Sequence, residues 1–442
     1  MNQSEKNIID NRQHKKKIYH ITEYGMFVTG KNKDKNGCTF LPKEIFDRLE
    51  NFILSAENKS NDISEIFDIS VKKGVGKVIA VKNYIGVLML SDGPLIEILP
   101  KIYTKSSYDE KQLKKIVIDM IRTLKDTPYK SMSAANVDIA KNSIFEIFIR
   151  MFIDEVFFIV KRGLKNSYET VSSNERFVKG KIVFSEHIKH NYAHKEMTYV
   201  AYDEFNSNRP ENKLIKSTLL LLYRLTHSAK NKTDIKTLLN AFCEVSPTVN
   251  FSGDFKKLAP DRNMKDYENA LAWCKVFLKG NSFTSFAGCE NAFALFYPME
   301  TLFESYVAVQ LNRILRSLDF TFSTQDCRHC LFEYPTKKFM LKPDIVIERN
   351  SDNTVFICDT KWKLLDKRKD NYGILPADMY QMYVYQKKYK AENVTLIYPM
   401  TDDIPNNDIQ YRSEDGFVVR IRFVDLLDIK TDLGKIAADF IN

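Results

Sequence analysis

No apolar run in this sequence is long enough to cross a bilayer. The longest, Leu219-Leu220-Leu221-Leu222 and residues 84–90, fall far short of the ~20 residues that a helical span needs. The polar start, Met1-Asn2-Gln3-Ser4-Glu5-Lys6, has no apolar segment behind it, so neither secretion nor membrane insertion is expected. The cysteines Cys38, Cys243, Cys274, Cys289, Cys327, Cys330 and Cys358 are odd in number and form no disulfide framework. That points to a reducing cytoplasm. Cys327-Arg328-His329-Cys330 is a lone C-x-x-C, two ligands short of a zinc site. The chain has no G-x-x-x-x-G-K-[ST], so nucleotide hydrolysis would have to belong to a partner. It also has no internal repeat and no low-complexity block. Charge of one sign is scarce as well. Sixty-six basic against 57 acidic residues leave +9, which permits a polyanionic partner without demanding one.

What is present suits a globular protein: 442 residues, 44% hydrophobic and 28% charged, with room for about two or three domains. Residues 1–17 are polar and basic, ending in His14-Lys15-Lys16-Lys17, and read as a disordered lead. Residues 18–109 read as a small β-rich domain. It holds a helix in the span 40–54, strands at 66–71 and 75–81, and a hairpin of 84–90 with 95–100 closed by Ser91-Asp92-Gly93-Pro94. Its basic loops, 30–37 and 58–62, are its obvious protrusions. Residues 110–289 read as mainly helical, with helices at 113–124, 144–164 and 213–227. The aromatics Phe145, Phe148, Phe152, Phe157 and Phe158 are expected in the core. Residues 168–182 read as extended. Residues 200–212 read as a polar approach to the third helix, with Asn208 as a cap and Pro210 in the first turn. Asp203 and Glu204 are expected to serve packing, capping or charge pairing. Past a boundary near residue 290 the order becomes helix, hairpin, strand, helix, strand, an α/β sandwich over 290–442.

The chemistry concentrates in that last region. Leu341-Lys342-Pro343-Asp344-Ile345-Val346-Ile347-Glu348 and Val355-Phe356-Ile357-Cys358-Asp359-Thr360-Lys361-Trp362-Lys363 flank a polar turn and read as a hairpin. Asp359 and Lys361 are two apart and share a face. A carboxylate ending an apolar run is costly to bury unpaired. Asp344 and Asp359 together suit a hard cation such as Mg²⁺, or Mn²⁺, that keeps several waters. Lys361 could then activate a water or stabilise a transition state. A helix from Met299 can bring Glu304 to the same ion. A later helix places Asp378, Gln381 and Tyr385 on one face.

Pro-Asp followed by Asp-x-Lys resembles the PD-(D/E)xK, restriction-endonuclease-like fold, and Gln381-x-x-x-Tyr385 resembles the helix that follows the lysine in RecB-like nucleases. Over most of its length the chain resembles the McrC family, nuclease subunits of McrBC restriction systems. The anchors are Gly93-Pro94-Leu95-Ile96-Glu97-Ile98-Leu99-Pro100-Lys101-Ile102; Gly180-Lys181-Ile182; Tyr202-Asp203-Glu204 with Pro210 and Asn212; Leu302-Phe303-Glu304; Lys342-Pro343-Asp344; Asp359-Thr360-Lys361; and Gln381 with Tyr385. The resemblance implies a type IV restriction endonuclease that is directed to DNA carrying modified cytosine. It also implies an McrB-like AAA+ hexamer as partner, hydrolysing GTP under stimulation by the 18–109 domain. Asp344 and Asp359, with Glu304 as a third, would be metal ligands. Lys361 would be the catalytic lysine. Gln381, Tyr385 and Lys363 would position DNA or support the site. The alternatives are a non-cleaving activator of an AAA+ GTPase and a stand-alone RecB-like nuclease.

Overall fold

In a computed structural model, the described residues are 17–29, 38–57, 62–90, 94–102, 110–124, 143–258, 262–279, 292–401 and 409–441. The basic lead, the loops 30–37 and 58–61, the 91–93 turn, most of the joint before residue 143, and the boundary near 290 with Cys289 lie outside them. The chain folds as two compact units, Met1–Ile144 with Gly280–Asn442, and Phe145–Lys279.

The first unit begins with two four-stranded sheets. One runs Ile18–Thr22, Leu95–Leu99, Tyr84–Leu90, Ala292–Pro298. The other runs Cys38–Phe40, Met26–Val28, Gly76–Val81, Phe67–Lys72. The amphipathic helix Lys43–Glu57 buries Ile45, Phe46, Leu49 and Ile53 in a core shared with Ile21, Phe27, Ile79 and Ile98. The Ala292–Pro298 strand comes from the far side of the chain. It pairs antiparallel with Tyr84–Leu90, with Phe296 opposite Gly86. Gly86 sits at φ +146°, and a Cβ there would stand 1.9 Å from the Leu295 carbonyl oxygen. Only glycine permits that approach.

The same unit carries a six-stranded sheet ordered Phe320–Thr324, Ile345–Arg349, Val355–Thr360, Asn393–Pro399, Val418–Val424, Ile409–Arg412. The expected hairpin forms its second and third strands, with Ile345 opposite Cys358. The step to Asn393–Pro399 is parallel. It uses the helix Pro376–Tyr389 as its crossover, as parallel neighbours require. All seven residues of Asn393–Pro399 are buried, as befits a central strand. The helix Met299–Leu315 follows directly on Pro298, so one short turn joins the N-terminal sheet to this layer. The edge strands Phe320–Thr324 and Ile409–Arg412 and the last helix Ile429–Ile441 were not among the expected elements.

The second unit holds the helices Ile144–Arg162, Pro210–Leu225, Ala229–Ala241 and Glu268–Lys279. Phe145, Phe148 and Phe152 are buried as expected, whereas Phe158 is exposed beneath Arg162. Two expectations are corrected. Thr198–Asn206 is a strand, not an approach loop; it pairs with Ser167–Glu175 along its whole length, and that ladder overrides its polar composition. Arg209, not Asn208, occupies the N-cap position of the third helix, without a side-chain capping bond, and Pro210 begins it. The Asn208 side chain instead accepts from the Ser246 N–H at 2.8 Å. Asp203 accepts from the Thr170 hydroxyl at 2.7 Å and lies exposed. Among the described residues no helix is long and apolar enough to cross a membrane.

Candidate active site

The hairpin sets the two aspartates. Asp344 stands just before the first strand, and Asp359 is the penultimate residue of the second. Asp344 Oδ2 accepts from the Thr360 N–H and from its hydroxyl, both at 2.8 Å. The side chain of Thr360, between Asp359 and Lys361, therefore anchors the neighbouring carboxylate. Asp344 Oδ1 accepts from Gln325 at 3.3 Å, and the same amide also donates to Glu304. Gln325 thus ties Asp344 to the Met299–Leu315 helix. It adopts φ 52°, in the left-handed region, and its backbone N–H binds the Asp344 carbonyl at 3.0 Å.

Asp359 is 1% exposed. Its Oδ2 accepts from the Lys361 ammonium at 2.6 Å. Burial first, and then the Asp344 carboxylate, push its pKa well above the usual carboxylate range. Asp344 is raised too, by burial, with the two Thr360 bonds pulling back. Burial works against the charge on Lys361, yet Asp359 outweighs it and the ammonium is held more firmly than usual. The buried Asp359 and the half-buried Asp344 share one lysine and are short of positive charge, and a divalent cation would supply it.

The expected helix is present as Pro376–Tyr389. Gln381 Oε1 accepts from Lys361 Nζ at 3.4 Å, and Gln381 Nε2 donates to the Tyr385 hydroxyl at 2.7 Å. The buried Tyr385 therefore orients Gln381, and Gln381 faces the lysine. Lys363 turns away and donates to the Gly373 carbonyl at 2.5 Å. A cleft of about 550 Å³ opens over Glu304, Asp344, Lys361, Lys363 and Asp378, bordered by Tyr24, Glu300 and Trp362. Asp359 does not line it; it is buried and paired to Lys361, which does. Glu304, Asp344 and Asp359 do not all come within 4.8 Å of one another. Among the described residues the trio that does is His20, Glu97 and Glu110. There Lys114 Nζ already lies 2.6 Å from Glu110 and 3.5 Å from Glu97, so that cluster carries its own cation. Cys327 is exposed and Cys330 buried.

Sequence reasoning missed Gln325, the role of Thr360, Tyr24 at the cleft rim, and Glu23, buried against Trp362. Gln325 owes its role to a backbone turn, and Glu23 to a contact between chain ends. Neither leaves a periodic signal.

The family model for the McrBC 5-methylcytosine restriction system component matches residues 79–399. The Type IV methyl-directed restriction enzyme EcoKMcrBC of Escherichia coli strain K12 is 23% identical over 291 residues, which is 62% of this chain and 82% of that one. Among solved structures, a half-complex from a tetradecameric assembly of Thermococcus gammatolerans McrB AAA+ hexamers with bound McrC matches with a TM-score of 0.69. It is 16% identical, and the match covers 96% of this chain and all of that one.

Proposed function

The chain belongs to the family of McrBC 5-methylcytosine restriction system components, and from that premise we propose that it is the McrC-type nuclease subunit, cutting phosphodiester bonds in DNA that carries modified cytosine. The observation that carries the reading is the grouping of Asp344, Asp359 and Lys361 at one end of the sheet's inner strands, beside an open cleft. A buried carboxylate paired to one lysine, with a second, half-buried carboxylate beside it, suits a PD-(D/E)xK site holding Mg²⁺ or Mn²⁺.

In this reading Asp344 and Asp359 are the metal ligands. Glu304, tethered to Asp344 through Gln325, stands at the cleft wall and would be the third, weaker ligand. The ion would supply a nucleophilic water and neutralise charge on the phosphate. Lys361 presents a firmly protonated ammonium to the phosphate oxygens, where negative charge grows during cleavage. Gln381, braced by Tyr385, limits the swing of that ammonium. Thr360 fixes the rotamer of Asp344, so the carboxylate is set before substrate arrives.

The partner in this proposal is an McrB-like AAA+ hexamer that hydrolyses GTP. The lack of a P-loop here fits that division of labour, and so does the fold shared with an McrC bound to McrB hexamers. The test is cleavage of methylated and unmethylated DNA by the complex with GTP and Mg²⁺. Asp359→Ala or Lys361→Ala should lower cutting by ~10²-fold or more while stimulation of GTP hydrolysis persists. Undiminished cleavage by either variant removes the assigned site. Cutting without partner or GTP would mark a stand-alone nuclease instead.

A further inference from the structure

Glu23 is a buried acid with no assigned role. It follows the strand Ile18–Thr22, whose ladder continues through the Glu23 N–H to the Leu99 carbonyl at 2.9 Å. The carboxylate is 1% exposed. Its Oε1 accepts from the Lys101 backbone N–H at 2.9 Å. The indole N–H of Trp362 donates across both oxygens, at 2.9 and 3.0 Å. The two residues are 339 positions apart, so the bond closes the chain's far end onto its start.

Trp362 directly follows Lys361. Its ring meets Phe303 edge to face at 5.3 Å, and Phe303 directly precedes Glu304. One indole thus touches the segment that bears the lysine and the helix that bears the third carboxylate. Burying a carboxylate without a cation bonded to it is costly, and burial drives the pKa of Glu23 up to about 7. A polar pair of this kind is tolerated where its geometry matters.

We propose that Glu23 is a positioning residue for DNA cleavage: by holding the Trp362 indole, it fixes the backbone just past Lys361 and, through Phe303, the helix that carries Glu304. The proposal rests on the nuclease reading above. It makes the N-terminal sheet a part of the active site as well as a neighbour of it. Displacement of the Ile18–Thr22 strand would reach Lys361 through a single side-chain contact.

The experiment uses the full chain with its AAA+ partner, GTP, Mg²⁺ and duplex DNA containing 5-methylcytosine. Glu23→Ala should lower the maximal cleavage rate at least ~10-fold, with KM for DNA and stimulation of GTP hydrolysis unchanged. Glu23→Gln should restore most of the rate, because its one oxygen can accept both N–H groups. Trp362→Phe keeps a ring against Phe303 and removes only the N–H donor. It should slow cleavage as Glu23→Ala does, and it decides the matter if Glu23→Ala fails to fold. Full-rate cutting by Trp362→Phe, in a protein that Asp359→Ala silences, overturns the proposal and leaves the active-site reading intact. Undiminished cutting by Asp359→Ala overturns that reading, and the proposal with it.

Discussion

Two buried carboxylates, one in each unit, are treated in opposite ways. Glu146, in the helical unit, is 7% exposed. It accepts from the Thr226 hydroxyl and the His227 N–H at 2.6 Å, from Asn231 at 2.8 Å and from the Ser228 N–H at 3.2 Å. It also lies at the start of the Ala229–Ala241 helix, where a negative charge is favoured. Asp359 is deeper still. It has a single donor, the Lys361 ammonium, and a second carboxylate beside it. A carboxylate that only holds structure together collects donors until its burial cost is offset. One with a single donor and a like charge beside it is a candidate for binding something else.

The comparison breaks if the two residues respond alike to substitution. Glu146→Ala strands four donors and should destabilise the fold by about 3 kcal/mol, read from denaturant unfolding. Asp359→Asn should do the reverse. It removes the repulsion with Asp344 and should raise the melting temperature of the metal-free protein by a few degrees, about the effect of ~1 kcal/mol. An Asp359→Asn variant that melts as low as Glu146→Ala would mean that Asp359 is structural after all.

Glu23 sharpens the comparison through pH. Its folded value of about 7 lies above the ordinary 4.5, so the folded state favours the protonated form. Its contribution to stability is therefore complete below about pH 4.5 and is lost as the pH rises through about 7. Melting curves between about pH 5 and pH 8 should fall more steeply for the wild type than for Glu23→Gln. Equal slopes would show that Glu23 does not titrate in that window.

The smallest effect is expected on the surface of the helical unit. Phe184, Ile188 and Tyr192 recur every fourth residue along and just past the helix Phe184–Asn191, and all three are well exposed. Exposed apolar side chains of this kind hold up nothing beneath them. Replacing them together by serine should change unfolding free energy by no more than ~0.5 kcal/mol per site. A loss of several times that would show that the face is covered within the fold.

The candidate site was legible in the sequence to the extent that it is local. Asp344, Asp359 and Lys361 lie on a hairpin of β-branched residues, and Gln381 and Tyr385 share a helix face, so pattern alone brings each group together. What escaped is long-range or depends on backbone shape. Gln325 links Asp344 to Glu304 from a residue in the left-handed region. Thr198–Asn206 is a strand only because Ser167–Glu175 pairs with it. Lys363 follows the strand rather than continuing it, and alternation could not foresee its turn toward Gly373.

The seam at Gly86 constrains how this protein can be cut or recombined. Because Ala292–Pro298 zips onto Tyr84–Leu90 before entering the Glu304 helix, a product ending near residue 285 would bare the amide row of Tyr84–Leu90. One starting near 300 would lose the anchor of its first helix. Fragments from this chain should therefore aggregate unless the missing strand is supplied in trans as a peptide, and grafts between relatives must exchange both sides of the seam together.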